Sequence, residues 1–341
     1  MNDKLGKVIQ KIKPLTENIG IDNFLRMAFV ESRLVGERIN FAVIGRPQTS
    51  SAVLLAGSGR SGTTWISDVL CALPGVQQIF EPLHPFWNAN VRDITGWDSF
   101  EPNFQQIYLR AYEEHPFWLN HWEQILTGYY RNYWTDYVRT SWFPQRFLVK
   151  EIRANMMLEF LYRHFQLRIV YIMRHPCAVV QSRLGVKWHA NIQDILNQIS
   201  LVDDFLKPWV STIERERDLV VAHALWWAVE NLVALRQLET IPHYLVFYED
   251  LVLKPDETIV PLLDWLGYDA VPVSVLKAFS KPSRMSSKRL SYHSEHDRLS
   301  RWQRSLPAVD QMRILEWVEL LGLTMYNRYP LPQIQSGPNV H

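Results

Sequence analysis

Apolar residues fall into short blocks punctuated by glycine, proline and charge, and two periods alternate along the chain. Ala52 to Ala56, Val76 to Phe80, Phe147 to Ile152, Ile169 to Met173 and Tyr244 to Tyr248 are too short for buried helices and mostly rich in β-branched or aromatic residues. They predict strands buried on both faces, with Tyr244 to Tyr248 the last of the sheet. Trp65, Ile66, Val69 and Leu70 instead recur at helical spacing, and Asp22 to Phe41 and Arg217 to Leu238 read as longer helices. Trp226 and Trp227 should lie on the buried side of the last. Strands alternating with helices predict an α/β fold with a mostly parallel sheet covered on both faces.

The stretch from Ser51 to Leu70 organises the rest. Its strand stops at Gly57, and Gly59 and Gly62 follow before the helix, so the turn can use positive φ and bring backbone N–H groups close to an anion. The spacing of Gly57 and Gly62 fits a phosphate-binding loop, but Thr63 stands where a nucleotide triphosphatase carries lysine. The basic residue is Arg60, inside the loop, with hydroxyls at Ser58, Ser61, Thr63 and Thr64 around it. That suits a 5′-phosphate bearing a short terminal group.

A second anion site ends the strand Ile169 to Met173. Arg174 sits at its carboxyl end, where open α/β sheets bind ligands, and Ser182 follows eight residues later on the next helix. Arg60-Ser61-Gly62-Thr63-Thr64-Trp65 together with Arg174 and Ser182 resembles the sulfotransferases that use 3′-phosphoadenosine 5′-phosphosulfate (PAPS). His243 to Leu251, then Lys254-Pro255 and Leu262 to Gly267, is similar to a later part of the same family. The resemblance covers residues 51 to 267 and implies a three-layer α/β/α fold of the P-loop type. It places the 5′-phosphosulfate on Arg60, Ser61, Gly62, Thr63 and Thr64, the 3′-phosphate on Arg174 and Ser182, and the adenine beside Trp65. No metal is implied.

Phe80-Glu81-Pro82-Leu83-His84 and Val149-Lys150-Glu151-Ile152-Arg153 look closest to the carbohydrate-sulfating and bacterial branches. This implies an acceptor hydroxyl on a carbohydrate or glycolipid. Prolines around Glu81 forbid regular structure, so it should lie in an irregular loop at the edge of the sheet. Glu81 is ranked first as general base, ahead of His84 and His189; pairing with Lys150 or Arg153 is its structural alternative. Lys150 either faces the cofactor or pairs with a carboxylate. The family's basic C-terminal loop suggests Lys288, Arg289, Arg301 and Arg304 as further 3′-phosphate contacts, although its R-K-G pattern is absent. Two other readings are a nucleotide or small-molecule kinase, against which Thr63 weighs, and a PAPS-binding protein without turnover.

Composition narrows this further. The 341 residues include 36 Lys and Arg against 35 Asp and Glu, so no global charge directs the chain to nucleic acid. Its two cysteines build no disulfide framework, which together with the lack of a visible signal peptide or membrane span suggests a cytoplasmic protein. The organisation expected is a helical extension over 1–50, a cofactor-binding core over 51–275 and a closing basic loop and helix over 276–341. Within the core, the aromatic-rich stretch 87–142 should form a helical lid whose rings fill the core or stack on an acceptor. Leu5, Val8, Ile9 and Ile12 among four lysines form a short basic helix that either docks on the domain or rests weakly on an anionic membrane. Oligomeric state is not legible.

Overall fold

The computed structural model describes residues 21–97, 106–136, 144–279, 294–334 and 336–339. A long helix, α1 (Ile21–Ile44), precedes β1 (Val53–Gly57) and α2 (Thr63–Leu70). Then come β2 (Val76–Phe80), α3 (Ala89–Thr95), α4 (Pro116–Leu126), β3 (Arg146–Glu151), α5 (Leu158–Phe165), β4 (Arg168–Met173) and α6 (Pro176–Gly185). Irregular helical turns over 193–213 lead to α7 (Leu219–Leu238), β5 (His243–Phe247), α8 (Tyr248–Leu253), α9 (Pro255–Trp265) and α10 (Val273–Phe279). The chain closes with α11 (Glu295–Ser305), α12 (Ala308–Leu320) and β6 (Gly337–Asn339).

The sheet order is β2-β3-β1-β4-β5-β6. The first five strands are parallel, with Val53 opposite Leu148 on one side and Arg168 on the other. From β1 the chain moves toward β2 and β3, then crosses to β4 on the far side of β1. The crevice between β1 and β4 is therefore the topological switch point, where open α/β sheets take ligands. Tyr244 to Tyr248 is not the last strand, because β6 pairs antiparallel with β5. Gly337-Pro338-Asn339 carries no strand signal in composition, and proline is accepted there because the outer edge of β6 needs no donor.

Side-chain alternation divides the core. Leu54, Ala56, Val149, Ile169 and Tyr171 pack on one face with α4, α5 and α7, while Val53, Leu55, Leu148, Val170 and Ile172 pack on the other with α2, α9 and α10. A central strand with both faces covered must be apolar at every position, which is why β1 reads as an unbroken apolar run. α7 is capped by Asp218, whose carboxylate accepts from the N–H groups of Val220 and Val221 at 2.8 and 3.1 Å. It has no solvent face of any width. Trp226 and Trp227 are fully buried, but so are Val221, Ala224, Leu225, Val229 and Val233 around the circumference. Among the described residues α7 is the one helix long and apolar enough to cross a membrane, and its burial within the domain accounts for that composition.

In the aromatic-rich stretch α3 and α4 form, and Trp118 and Trp122 of α4 belong to the core, whereas Tyr112 and Tyr129 are exposed. Phe104, Tyr137, Trp142, the basic segment Leu5 to Ile12, Lys288 and Arg289 lie outside the described residues.

Candidate active site

The loop from Gly57 to Gly62 leaves β1 at the switch point. Gly57 has φ of +151°, and a Cβ there would sit 2.3 Å from the carbonyl oxygen of Ile172, so only glycine lets β1 and β4 stay paired to their ends. Gly62 caps α2 at φ +92°, against the ring of Tyr248. Between them Arg60 takes φ of +80°, a left-handed conformation uncommon for any residue other than glycine and costing about 1–3 kcal/mol where the surroundings must impose it. The surroundings do so: Ser61 N–H donates to Ser58 O at 3.0 Å, and Arg174 Nη1 donates to Arg60 O at 3.1 Å. The Arg60 side chain turns toward α6 and donates through Nε to Ser182 Oγ at 3.0 Å. The two anion motifs are thus in direct contact.

Beneath the loop lies a buried polar floor. Glu230, on α7, accepts from Ser58 Oγ at 2.5 Å, Arg183 Nη2 at 2.6 Å and Asn155 Nδ2 at 3.3 Å, and also pairs with Gln106 Nε2. Arg183 further donates to Gly59 O at 3.2 Å, Asn155 Oδ1 accepts from Gly57 N–H at 2.9 Å, and Asn231 Nδ2 donates to Ser58 Oγ at 2.9 Å. Backbone and side chains of the loop are therefore fixed from below. Burial, and then the charges of Arg174 and Arg183, lower the pKa of Arg60, while Glu81 acts in the other direction. Crowded cations of this kind are a state that a bound anion relieves.

Glu81 lies just beyond β2 with φ of +40°, in the irregular loop, and its N–H donates to Lys150 O at 2.8 Å. Its carboxylate pairs with Lys150 Nζ through one oxygen and with Arg153 Nη1 through the other, at 3.3 Å. Burial raises the Glu81 pKa, but the charges of Lys150 and Arg153 and the lysine hydrogen bond outweigh it and hold the group at about 2. Burial and the Arg153 charge lower His84 to about 4, so its ring is neutral at pH 7 and accepts weakly from Phe86 N–H through Nδ1 at 3.3 Å. Trp134 stands edge-on to His84 and Phe80, at 5.2 and 5.3 Å between centroids, and stacks on Trp87 at 5.7 Å. An aromatic wall therefore flanks the Glu81 loop. His189 is exposed beyond Trp188, whose ring packs over Gly59.

Thr63 is buried and Thr64 half-buried at the start of α2, where the first N–H groups have no acceptor within the helix. Trp65 is 6% exposed and held edge-on by Tyr248 and Phe279, with the Arg298 guanidinium over its ring at 4.9 Å. Arg174 and Arg298 both lie over the Tyr248 ring, at 4.3 and 5.2 Å. Of the C-terminal cations singled out from sequence, Arg301 is half-buried and Arg304 pairs with Asp297 at the surface. Among the described residues of this C-terminal segment, Arg298, three residues before Arg301, reaches the aromatic corner of α2. Glu230, Arg183, Asn155 and Asn231 were also missed. The sequence held one clue: Glu230 is the single acidic residue in the apolar run Leu219 to Leu238, and a carboxylate in the middle of such a helix needs a buried partner.

A glycine-rich loop after a central parallel strand, joined to a strand-end arginine and a helical serine, defines an anion-handling α/β protein. The sulfotransferase family model matches residues 52–272, and the chain belongs to that family. Its chemistry is sulfuryl transfer. Among solved structures it is similar to the sulfotransferase domain from the curacin biosynthetic pathway, at 16% identity over 82% of this chain and 98% of that one, TM-score 0.46. It is also similar to the sulfotransferase domain of the Synechococcus PCC 7002 olefin synthase, at 16% identity over 80% and 95%, TM-score 0.44. A mouse sulfotransferase, SULT7A1, complexed with PAP is similar at 12% identity over 80% and 84%, TM-score 0.40. No curated protein matches the chain in sequence.

Proposed function

We propose that this protein transfers the sulfuryl group of PAPS to a hydroxyl of a carbohydrate or glycolipid. The observation that carries the reading is the junction of Arg60 with Ser182 and Arg174, residues 122 and 114 positions away, at the β1/β4 switch point. A single phosphate would need only the loop; two converging anion motifs suit a nucleotide phosphorylated at both ends. Ser61 Oγ and Arg174 Nε are buried without hydrogen-bond partners, so the donor set has capacity for an anion.

In this reading Ser61, Gly62, Thr63, Thr64 and the first amides of α2 hold the 5′-phosphate, Arg174 and Ser182 hold the 3′-phosphate, and Trp65 lies beside the adenine. When bound, PAPS supplies the activated sulfuryl group and its phosphate leaving group. Arg60 is the fixed charge that stabilises the leaving oxygen, preorganised by its contacts rather than recruited during the reaction. Lys150 orients Glu81, and Glu81 takes the acceptor proton, with His84 as the alternative base. The Trp87 and Trp134 wall supports a sugar acceptor, since ring faces stack on the apolar faces of pyranoses, and Trp134 Nε1 is buried with no acceptor among the described residues.

Calorimetric titration with 3′-phosphoadenosine 5′-phosphate in metal-free buffer tests the donor. Tight binding is expected, with Arg174→Ala weakening it by about 10- to 1,000-fold through lost charge-assisted bonds. Stronger binding of ATP with Mg²⁺ would point to a kinase instead. Transfer of label from sulfate-labelled PAPS to a glycan and glycolipid panel tests the acceptor; transfer only to aliphatic alcohols or phenols would refute that part.

A further inference from the structure

α1 carries a second apolar face that is left exposed among the described residues. Val30, Leu34 and Phe41 dock it on the core, Phe41 meeting Phe147 edge-on at 6.3 Å. Its rotation is locked by Glu31, which accepts from Tyr133 N–H at 3.1 Å, and by Glu37, which pairs with Arg131 at 2.6 Å. On the opposite side Leu25, Phe29, Val35, Ile39 and Val43 are 59, 64, 51, 64 and 80% exposed. Ala28, Ser32, Gly36 and Ala42 are exposed on the same face, and no atom lies within 4 Å of where a Gly36 Cβ would be. Together these form an uncharged strip on the order of 500 Å², at the upper end of what a monomer leaves in water.

We infer that this face is the interface of a two-fold dimer in which α1 packs antiparallel against α1 of a second copy, crossing at Ser32. The strip is self-complementary about that point. Rotation through Ser32 sets Ala28 against Gly36, Leu25 against Ile39 and Phe29 against Val35. Small residues meet at the crossing, where backbones come closest, and large ones meet on either side. A two-fold contact uses one patch twice, so the strip buries roughly 1,000 Å² in total, the lower bound of a specific interface. Antiparallel axes also oppose the two helix dipoles favourably. A lipid surface fits less well, because the cations that would flank an interfacial helix are turned to the domain. Arg33 pairs with Glu37 and Asp136, and Arg38 donates to Arg131 O and lies over Tyr129.

Sedimentation equilibrium of the full chain should give the mass of two copies. Ile39→Glu, at a solvent-facing position, should weaken association at least about thirtyfold, the scale of a hot-spot loss, while leaving the thermal midpoint of the monomer unchanged. Geometry is read by cross-linking, for which the native Cys71 and Cys177 are both buried. Ser32→Cys should form an intermolecular disulfide by itself; Leu25→Cys should do so only when mixed with Ile39→Cys. A wild-type monomer at all concentrations, or a dimer indifferent to Ile39→Glu, overturns the inference. So does a monomer that sediments with anionic phosphatidylserine vesicles and loses that behaviour in Ile39→Glu, which would assign the face to lipid.

Discussion

Replacing Glu230 with glutamine tests whether the phosphate loop is held from beneath by charge. Glu230 and Arg183 are both wholly buried, and the pair is made at 2.6 Å. One carboxylate oxygen also accepts from Ser58 Oγ, and the other accepts from Asn155 and Gln106. Glutamine keeps the volume but cannot keep the bonds. Whichever way the amide is turned, its NH₂ faces two donors, and Arg183 loses the charge of Glu230 at zero exposure. Breaking one partner out of a buried pair costs about 3–5 kcal/mol, a large share of the roughly 5–15 kcal/mol that holds a domain together.

Urea unfolding of Glu230→Gln should therefore show a loss of about 3–5 kcal/mol relative to wild type. Arg183→Met should cost a similar amount, and the double variant no more than the worse single one, because the second substitution removes the charge whose partner the first took away. Binding of 3′-phosphoadenosine 5′-phosphate, measured where each variant is still folded, should weaken tenfold or more, since Ser58 and Gly59 O lose their anchors. A single-variant loss below about 1 kcal/mol, or losses that simply add, would show that the floor does not work as a coupled unit.

Gly62→Ala should destabilise by about 2–4 kcal/mol and abolish nucleotide binding, because φ is +92° and the new methyl would lie 2.4 Å from the Tyr248 ring; thermal denaturation and calorimetry read both. Burial pushes Glu249 up to about 7, so the folded chain keeps a proton that the unfolded chain releases near 4.5. Its contribution is full below about 4.5 and lost as pH rises to about 7, roughly 3 kcal/mol in all, and Glu249→Gln should flatten that slope in urea midpoints. Glu81 has the opposite sign: held at about 2, it contributes above about 4.5 and its share is lost as pH falls toward 2, a loss absent from Glu81→Gln.

The parallel strands were legible because each is short, buried on both faces and largely apolar, and Val76–Phe80 was bounded without error although Gln77 and Gln78 interrupt it. The arginine, serine and glycine of the anion loop were legible because their spacing is fixed by a strand end and a helix start. What escaped was set by tertiary contact rather than local pattern. β6 is three residues of glycine, proline and asparagine that pair only because β5 offers an edge. Arg298 looks like any residue of a basic run until α11 packs it over Trp65 and Tyr248. Glu230 is 172 residues from the Ser58 hydroxyl it holds, and no window of sequence links them.

Glu81 is where charge and chemistry bear on each other most directly. A carboxylate held at about 2 by Lys150 and Arg153 is a weak base, so it can take a hydroxyl proton only if those cations turn toward another anion once ligands are bound. Two consequences follow for Glu81→Gln. Loss of the negative charge frees Lys150 and Arg153 and removes the carboxylate that offsets the crowded positive charge at Arg60, so nucleotide binding should tighten rather than weaken. Turnover should nevertheless fall by about 10²- to 10⁴-fold. The pH profiles of the wild type add a second reading: the acid limb in kcat/KM, which reports the free protein, should lie below the acid limb in kcat, which reports the complex. Tighter binding with near-normal kcat would make Glu81 a counter-ion that only positions Lys150, and the proton would then belong to His84, whose neutral ring at pH 7 needs no such release.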